Sequence, residues 1–229
     1  MEGPILIYGA GSLCRVVESM INDSTNNEIF IFDSNIKSYV HQTNGTFSNK
    51  PIDLKDFISK SKSFVVAIGN EYGFARYQIG TRLENDYGLK PFNLIADNSF
   101  IDKSVEIGNG NIFMPGVSIN KFVKIGNYNI FGLGSNVDHE TEIYNGVHIM
   151  GSSLINGRVK IMNFATIGSG SVIFPDITIK ENVFVGSCSM VNKEFEEDSI
   201  IVGSPAKFLK KNERRADLSP FESIENTKG

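Results

Sequence analysis

"IADNSFIDKSVEIGNGNIFMPGVSINKFVKIGNYNIF", residues 95–131, carries an Ile or Phe at every sixth position from Ile95. The pattern continues through Val137, Ile143, Ile149, Ile155, Ile161, Ile167, Ile173, Ile179 and Val185 to Val191, every one Ile or Val. With about 45% apolar residues at any position, such a run arises by chance about once in a million trials. Small or β-branched residues fill most places four further on, as in Val117, Val123, Ser135, Thr141, Val147 and Ser153. Glycine favours the place just after the apolar one (Gly108, Gly126, Gly132, Gly168, Gly186), and Asn109, Asn127, Asn145 and Asn163 come next. Both residue types tolerate positive φ, so these places are expected to turn the corners. A period of six without a helical period predicts a β-helix, with short strands stacked about 4.8 Å apart.

The repeat resembles that of the hexapeptide-repeat acyltransferases. The resemblance implies a left-handed, three-sided prism with three hexads per coil, so that residues 18 apart stack on one face. The handedness comes from the resemblance alone, because the general crossover rule favours the right hand. Sorting the residue before each apolar position by face gives a test within the sequence. The first face reads Glu106, Lys124, Glu142, Lys160, Thr178, Glu196 and is expected to be wet. The second reads Ile112, Ile130, His148, Thr166, Phe184, and the third Phe100, Ser118, Asn136, Leu154, Val172, Met190. Apolar residues pointing outward on two faces mark interfaces, so both are expected to be buried in a cyclic homotrimer.

Before the repeat the period differs. "PILIYGAGS" reads as a strand entering a glycine turn, "SLCRVVESMI" as a helix, "EIFIFD" as a strand ending at Asp33, and "SFVVAIG" as a buried strand before a helix over 72–86. The expected fold class is therefore an α/β, Rossmann-like N-terminal domain over 1–94, then an all-β left-handed parallel β-helix over 95–211. Residues 212–229 are polar and are expected to form a flexible tail. A formal net charge of −4 with mixed signs offers no footprint for nucleic acid or an anionic membrane, and no segment reaches the roughly 20 apolar residues of a membrane helix. Two cysteines, Cys14 and Cys188, suggest neither a disulfide framework nor a zinc cluster, which favours the cytoplasm.

The chain has three histidines, His41, His139 and His148. His139 occupies a hexad corner, with Glu140 beside it and Gly157 stacked on it one coil later. An imidazole with a reference pKa of about 6.5 suits proton removal near neutral pH, a carboxylate can fix its tautomer, and a glycine amide can face an oxyanion. Taken alone, such a pair is more often a solvated corner, with His148 a polar filler at a contact. The arrangement "VDHETEIYNGVHI" with Gly157 beyond it resembles the sialic-acid and sugar O- and N-acetyltransferases of bacterial surface-glycan pathways. That resemblance implies His139 as general base, Glu140 as its orienter, and His148 and Gly157 as contacts to the thioester of acetyl-CoA. It extends to "IVGSPAKFLKK", where Lys207, with Lys210 and Lys211, either meets coenzyme A phosphates or merely solubilises the chain end.

"YGAGSLCRV" sets Gly9 and Gly11 between strand and helix, where amides can hold a phosphate, and Asp33 can accept from a ribose or base. In the related sugar transferases this loop reads Gly-x-x-Gly-His-Gly, whereas Ser12, Leu13 and Cys14 stand here at the later places. Gly9, Gly11, Ser12 and Asp33 are the expected substrate contacts. The stretch "DSNIKSYVHQ" loosely resembles part of the sialic acid O-acetyltransferases. The expected activity is acetyl-CoA-dependent N-acetylation of a nucleotide-linked amino sugar by direct transfer, without a metal. The alternatives are O-acetylation of sialic acid and a non-catalytic sugar-binding β-helix. A zinc hydratase on this scaffold would need three histidines, and the repeat holds two.

Overall fold

The computed structural model describes residues 3–24, 27–37 and 43–226. His41 and the end of the "DSNIKSYVHQ" stretch lie outside them. The first body contains, in chain order, β1 (Ile5–Tyr8), α1 (Ser12–Ser24), β2 (Ile29–Phe32), β3 (Thr46–Ser48), α2 (Pro51–Lys60), β4 (Ser63–Val66), α3 (Gly73–Asn85) and β5 (Lys90–Pro91). Its sheet is parallel in the order β3-β2-β1-β4-β5. The runs ILIY and IFIF are buried along their whole length, as strands covered on both faces must be. Helix α2 opens with Pro51, which needs no donor at that position, and carries Asp53 in its first turn and Lys60 in its last.

From Leu94 to Val191 a two-residue strand recurs every six residues, and the strands form three parallel sheets. Each pairs with the strand 18 residues away: Lys124 with Glu142, Ile130 with His148, and Asn136 with Leu154. This is the left-handed β-helix. Its interior is the six-residue apolar series, buried from Phe113 to Val191, whereas Ile95 at the open end is 42% exposed.

The corners turn by a different device from the one expected. Positive φ falls three places after each apolar residue, at every sixth residue from Gly110 to Cys188, and includes Tyr128, Glu140 and Arg158. The glycines one place after the apolar residue answer to close approach instead. A Cβ at Gly126 would lie 2.8 Å from Tyr144 O, and one at Gly132 2.5 Å from Gly151 N. The asparagines form a ladder between coils: the N–H groups of Asn109, Asn127 and Asn145 donate to the side-chain oxygens of Asn127, Asn145 and Asn163 at 2.8, 2.9 and 3.1 Å.

The three faces also differ from expectation in one respect. The first is wet, with Glu106, Lys124 and Lys160 exposed. The second is covered by the chain's own α/β domain: Ile112, Ile130 and Thr166 are buried, and one apolar cluster joins Ala10, Cys14 and Val17 to Ile112 and Ile130. Burying those two isoleucines removes about 1.5–3 kcal/mol each of apolar exposure. The third face keeps Phe100 and Leu154 exposed, with Leu133, Phe122 and Phe174 on the vertices beside it, and the end strand of the second-face sheet exposes Phe208 and Leu209.

Arg76 locks the two bodies together. It is 1% exposed, and its guanidinium donates to the carbonyls of Tyr128 (Nε, 2.7 Å), Ile68 (Nη1, 2.6 Å), Gly146 (Nη2, 2.7 Å) and Val147 (Nη2, 3.1 Å). Burial pushes its pKa down to about 9, which still leaves it charged at neutral pH. The backbones meet closely at this seam, since a Cβ at Gly73 would lie 2.1 Å from Gly146 O.

The expected tail begins after the strand Lys207–Lys211, which pairs antiparallel with Ser199–Val202. Its described part runs exposed over 213–217 and then forms α4 (Ser219–Glu225), which lies on the α/β domain. Phe221 is fully buried and stacks on Tyr8, with centroids 5.6 Å apart at 9°. The reason was present in the sequence: Leu218, Phe221 and Ile224 recur at a spacing of three, and Pro220 stands in the first turn.

Candidate active site

His139 projects from the vertex between the third and first faces, opposite the covered second face. The backbone there is fixed before the imidazole is considered. Asp138 N–H donates to Ile155 O at 2.8 Å, Glu140 N–H to Lys121 O at 3.0 Å, and Glu140 takes φ +57°. That left-handed residue turns its carboxylate back, so that Oε2 lies 2.9 Å from His139 Nδ1. In the tautomer whose Nδ1–H donates to the Glu140 carboxylate, Nε2 carries the lone pair and is the basic atom. Asp138 Oδ2 is 3.9 Å from Nε2, too far for a hydrogen bond. The His139 side chain is 40% exposed, so Nε2 can be reached.

Asp138 was not recognised from the sequence. Its Oδ1 accepts from His139 N–H (2.8 Å) and Asn120 Nδ2 (2.7 Å), and the His139 amide, aided by Asn120, holds its carboxyl below the usual range. It therefore stays anionic and braces the peptide that carries the imidazole. The signal was the stacking itself, since Asn120 and Asp138 are 18 residues apart.

Gly157 lies beneath the imidazole, and a Cβ there would stand 2.7 Å from both Cε1 and Nε2 of His139. Its N–H has no acceptor among the described residues. An unpaired donor beside a basic nitrogen can polarise a carbonyl oxygen while the nitrogen takes a proton. On the next coil Arg158 pairs with Asp176 through Nε (2.7 Å) and Nη2 (2.8 Å), which keeps that guanidinium occupied.

His148 is elsewhere. It lies on the second face beneath the loop after β4, its Cε1 3.6 Å from where a Gly69 Cβ would stand. Burial, reinforced by the Arg76 charge, pushes its pKa down to about 3, so the ring is neutral at physiological pH. One chain does not bring His148 to His139, because the prism core lies between that face and the opposite vertex. Lys207 is exposed on the last strand of the second-face sheet, four strand spacings from His148, or about 19 Å along the prism.

The glycine loop divides in function. Gly9 takes φ +106°, and a Cβ on it would meet Ala67 O at 2.8 Å, so its role is the turn itself. Gly11 has nothing near its Cβ position, and Ser12 is exposed at the start of α1. Cys14 is buried in the core. Asp33 directly follows β2 and accepts from Ala10 N–H and Asn35 N–H, both at 2.9 Å. It lines a cleft of about 470 Å³ together with Tyr8, Ile68, Tyr72 and Ile79 at the carboxyl ends of the central strands. Gly9, Gly11 and Ser12 are not part of that lining. Burial, with Asp217 and Asp33 adding to it, pushes the Tyr8 pKa up, so its hydroxyl remains a neutral donor. Among the described residues no three His, Cys, Asp or Glu side chains stand together as a metal site, and no helix is long and apolar enough to cross a membrane.

An α/β domain joined to a left-handed β-helix, with a His-Glu pair at a prism vertex, defines the class of architecture, and its first part has a family match: residues 4–73 match the PglD N-terminal domain. Solved structures share the two-part fold. PerB from Caulobacter crescentus, solved with CoA and GDP-perosamine, is 24% identical over 92% of this chain and 99% of its own, with a TM-score of 0.79. The acetyltransferase domain of PglB from Neisseria gonorrhoeae FA1090, solved with acetyl coenzyme A, is 21% identical over 91% and 100%, with a TM-score of 0.81. WeeI from Acinetobacter baumannii AYE is 24% identical over 90% and 99%, with a TM-score of 0.80. No curated protein matches the chain by sequence.

Proposed function

We propose that this chain is an acetyl-CoA-dependent N-acetyltransferase acting on a nucleotide-linked amino sugar of surface-glycan synthesis. The observation that carries the reading is the vertex where Glu140 holds Nδ1 of His139 and Gly157, whose N–H is unpaired among the described residues, lies under the ring. The fold shared with PerB and the PglB domain supports it, as those proteins were solved with CoA and GDP-perosamine, and with acetyl coenzyme A.

In this reading the sugar amine attacks the thioester carbonyl carbon while His139 Nε2 takes a proton from the nitrogen. Gly157 N–H donates to the developing oxyanion. The carbon–sulfur bond then breaks, leaving an amide and coenzyme A thiolate, which takes up the proton. Asp138 and Glu140 keep the imidazole in position throughout.

The site is composite. The third face, with Phe100 at 57% and Leu154 at 41% exposure, is the apolar surface available for self-association. A cyclic trimer closed through it brings one copy's His139 vertex to the α/β domain and His148 of the next. Lys207 then lies further along the prism, where it meets coenzyme A phosphates.

The test is an acceptor screen with acetyl-CoA and thiol detection. UDP-, GDP- and dTDP-linked amino sugars are assayed beside sialic acid and CMP-sialic acid. At least one amino sugar is expected to turn over, and His139→Ala to lower its kcat about 10²–10⁴-fold while the protein stays folded and trimeric. Turnover of hydroxyl acceptors alone would replace N- by O-acetylation. Unchanged activity in His139→Ala would end the mechanism.

A further inference from the structure

The two oxygens of Asp138 are not equivalent. Oδ1 is filled, accepting from the His139 N–H and from Asn120 Nδ2. Oδ2 accepts from no donor among the described residues, and it stands 3.9 Å from His139 Nε2 on a side chain that is 38% exposed. Arg158, which follows Gly157, is turned to Asp176 and does not fill that oxygen. Bracing the peptide accounts for Oδ1 and leaves Oδ2 without a part in the fold.

The column of residues to which Asp138 belongs shows that its charge is not needed for stacking. Asn120 and Asn156 stand 18 residues before and after it, and each donates through Nδ2, to Asp138 Oδ1 at 2.7 Å and to Ile173 O at 2.6 Å. An asparagine at 138 would offer its carbonyl oxygen to the same two donors that Oδ1 now serves. A carboxylate stands instead in the one coil of these three that carries the histidine.

Oδ2 and Nε2 are thus two open acceptors side by side. A nitrogen placed about 2.9 Å from each sees them about 85° apart, so two of its N–H bonds reach both at angles above about 150°. A hydroxyl has a single O–H, so it leaves one acceptor unmet and sets its own lone pairs against a carboxylate.

We propose that Asp138 Oδ2 and His139 Nε2 together select an amine over a hydroxyl as the acceptor, with Asp138 as the specificity-determining residue. The inference rests on the acetyltransferase reading of the His139 vertex. One N–H of the acceptor is held by Oδ2 and another by Nε2, which leaves the nitrogen lone pair free to attack the thioester carbon. An acceptor arriving as ammonium first loses its third proton to solvent. As the carbon–nitrogen bond forms and the carbon–sulfur bond breaks, the proton facing Nε2 passes to His139 and then to the thiolate. The hydrogen on Oδ2 stays and becomes the amide N–H, so Asp138 takes up no proton.

The experiment measures kcat/KM by thiol release for UDP-, GDP- and dTDP-linked amino sugars, each beside the same sugar with a hydroxyl in place of the amine. Where the hydroxyl sugar does not turn over, its competitive inhibition constant takes the place of kcat/KM. The unaltered chain is expected to prefer the amine of at least one pair. Asp138→Asn keeps the Oδ1 contacts and turns the free oxygen into a donor, so the amine should lose about 10–100-fold and the hydroxyl sugar about threefold or less. Asp138→Ala removes the brace as well, and both should fall, the amine about tenfold further. Asn120→Ala loosens only the brace and should lower both alike. An amine-to-hydroxyl preference that stays within about threefold in Asp138→Asn and Asp138→Ala overturns the proposal and leaves Asp138 as a brace alone. An unaltered chain that acetylates only hydroxyls, or nothing, sinks the N-acetyl reading and the role of Asp138 with it, whereas an amine preference that survives both substitutions sinks Asp138 alone.

Discussion

Replacing Gly157 with alanine adds one methyl group at the most crowded point of the candidate active site. Its φ is not in the left-handed region, so alanine suits the backbone and the methyl's position is the whole perturbation. At 2.7 Å from Cε1 and Nε2 of His139 it intrudes by about 1 Å on an ordinary carbon contact of about 3.5–4.0 Å. The ring must move by about that amount, and the 2.9 Å bond from Nδ1 to Glu140 is lost or bent. A misplacement of about 1 Å at a reacting group costs about 10²-fold in rate. Stability should fall by no more than about 1 kcal/mol, because a ring 40% exposed has solvent to move into. The amide N–H survives, so the substitution separates positioning of the base from donation to an oxyanion. The assay is kcat/KM by thiol release together with the melting temperature. Turnover within about threefold of the unaltered protein at unchanged stability would refute the claim that the imidazole rests on a bare glycine.

Arg76→Leu should destabilise the protein by about 3–5 kcal/mol in urea unfolding, because several buried carbonyls lose their donor; a shift under 1 kcal/mol would contradict the seam described for it. His148 is neutral in the folded chain down to about pH 3 but is protonated below about pH 6.5 when unfolded. Its contribution is therefore intact above pH 6.5 and is lost as pH falls towards 3, amounting to roughly 2 kcal/mol by pH 5. His148→Asn should flatten the stability difference between pH 7 and pH 5, and an identical pH profile would reject the burial argument. Phe221→Ala removes a fully buried ring and should cost about 3 kcal/mol of local stability, read as faster limited proteolysis within 212–218; no change in cleavage would mean the segment is held by the Arg214–Glu181 pair alone.

The repeat was legible because a β-helix writes its geometry into the chain at fixed intervals. Period six set the strands, period 18 set the stacking, and both reappear in the pairing of Ile130 with His148 and of Asn136 with Leu154. The His139–Glu140 contact and the place of Gly157 followed from the same arithmetic. The glycines and asparagines were misread because residue type alone does not distinguish a positive φ from a close approach. Gly126 is needed for the next coil's backbone, while the left-handed places are held by residues as varied as Tyr128, Phe164 and Asp176.

Residue order determined the prism, its three faces and which side chains gather at one vertex, since neighbours within a coil and between coils are a constant number of residues apart. Tertiary packing alone decided what covers the second face, where Arg76 donates, and that Asp217 meets Ser34 beside Asp33 at the same cleft. Those contacts join segments separated by irregular distances along the chain, and they form only where apolar surface on one body meets apolar surface on the other.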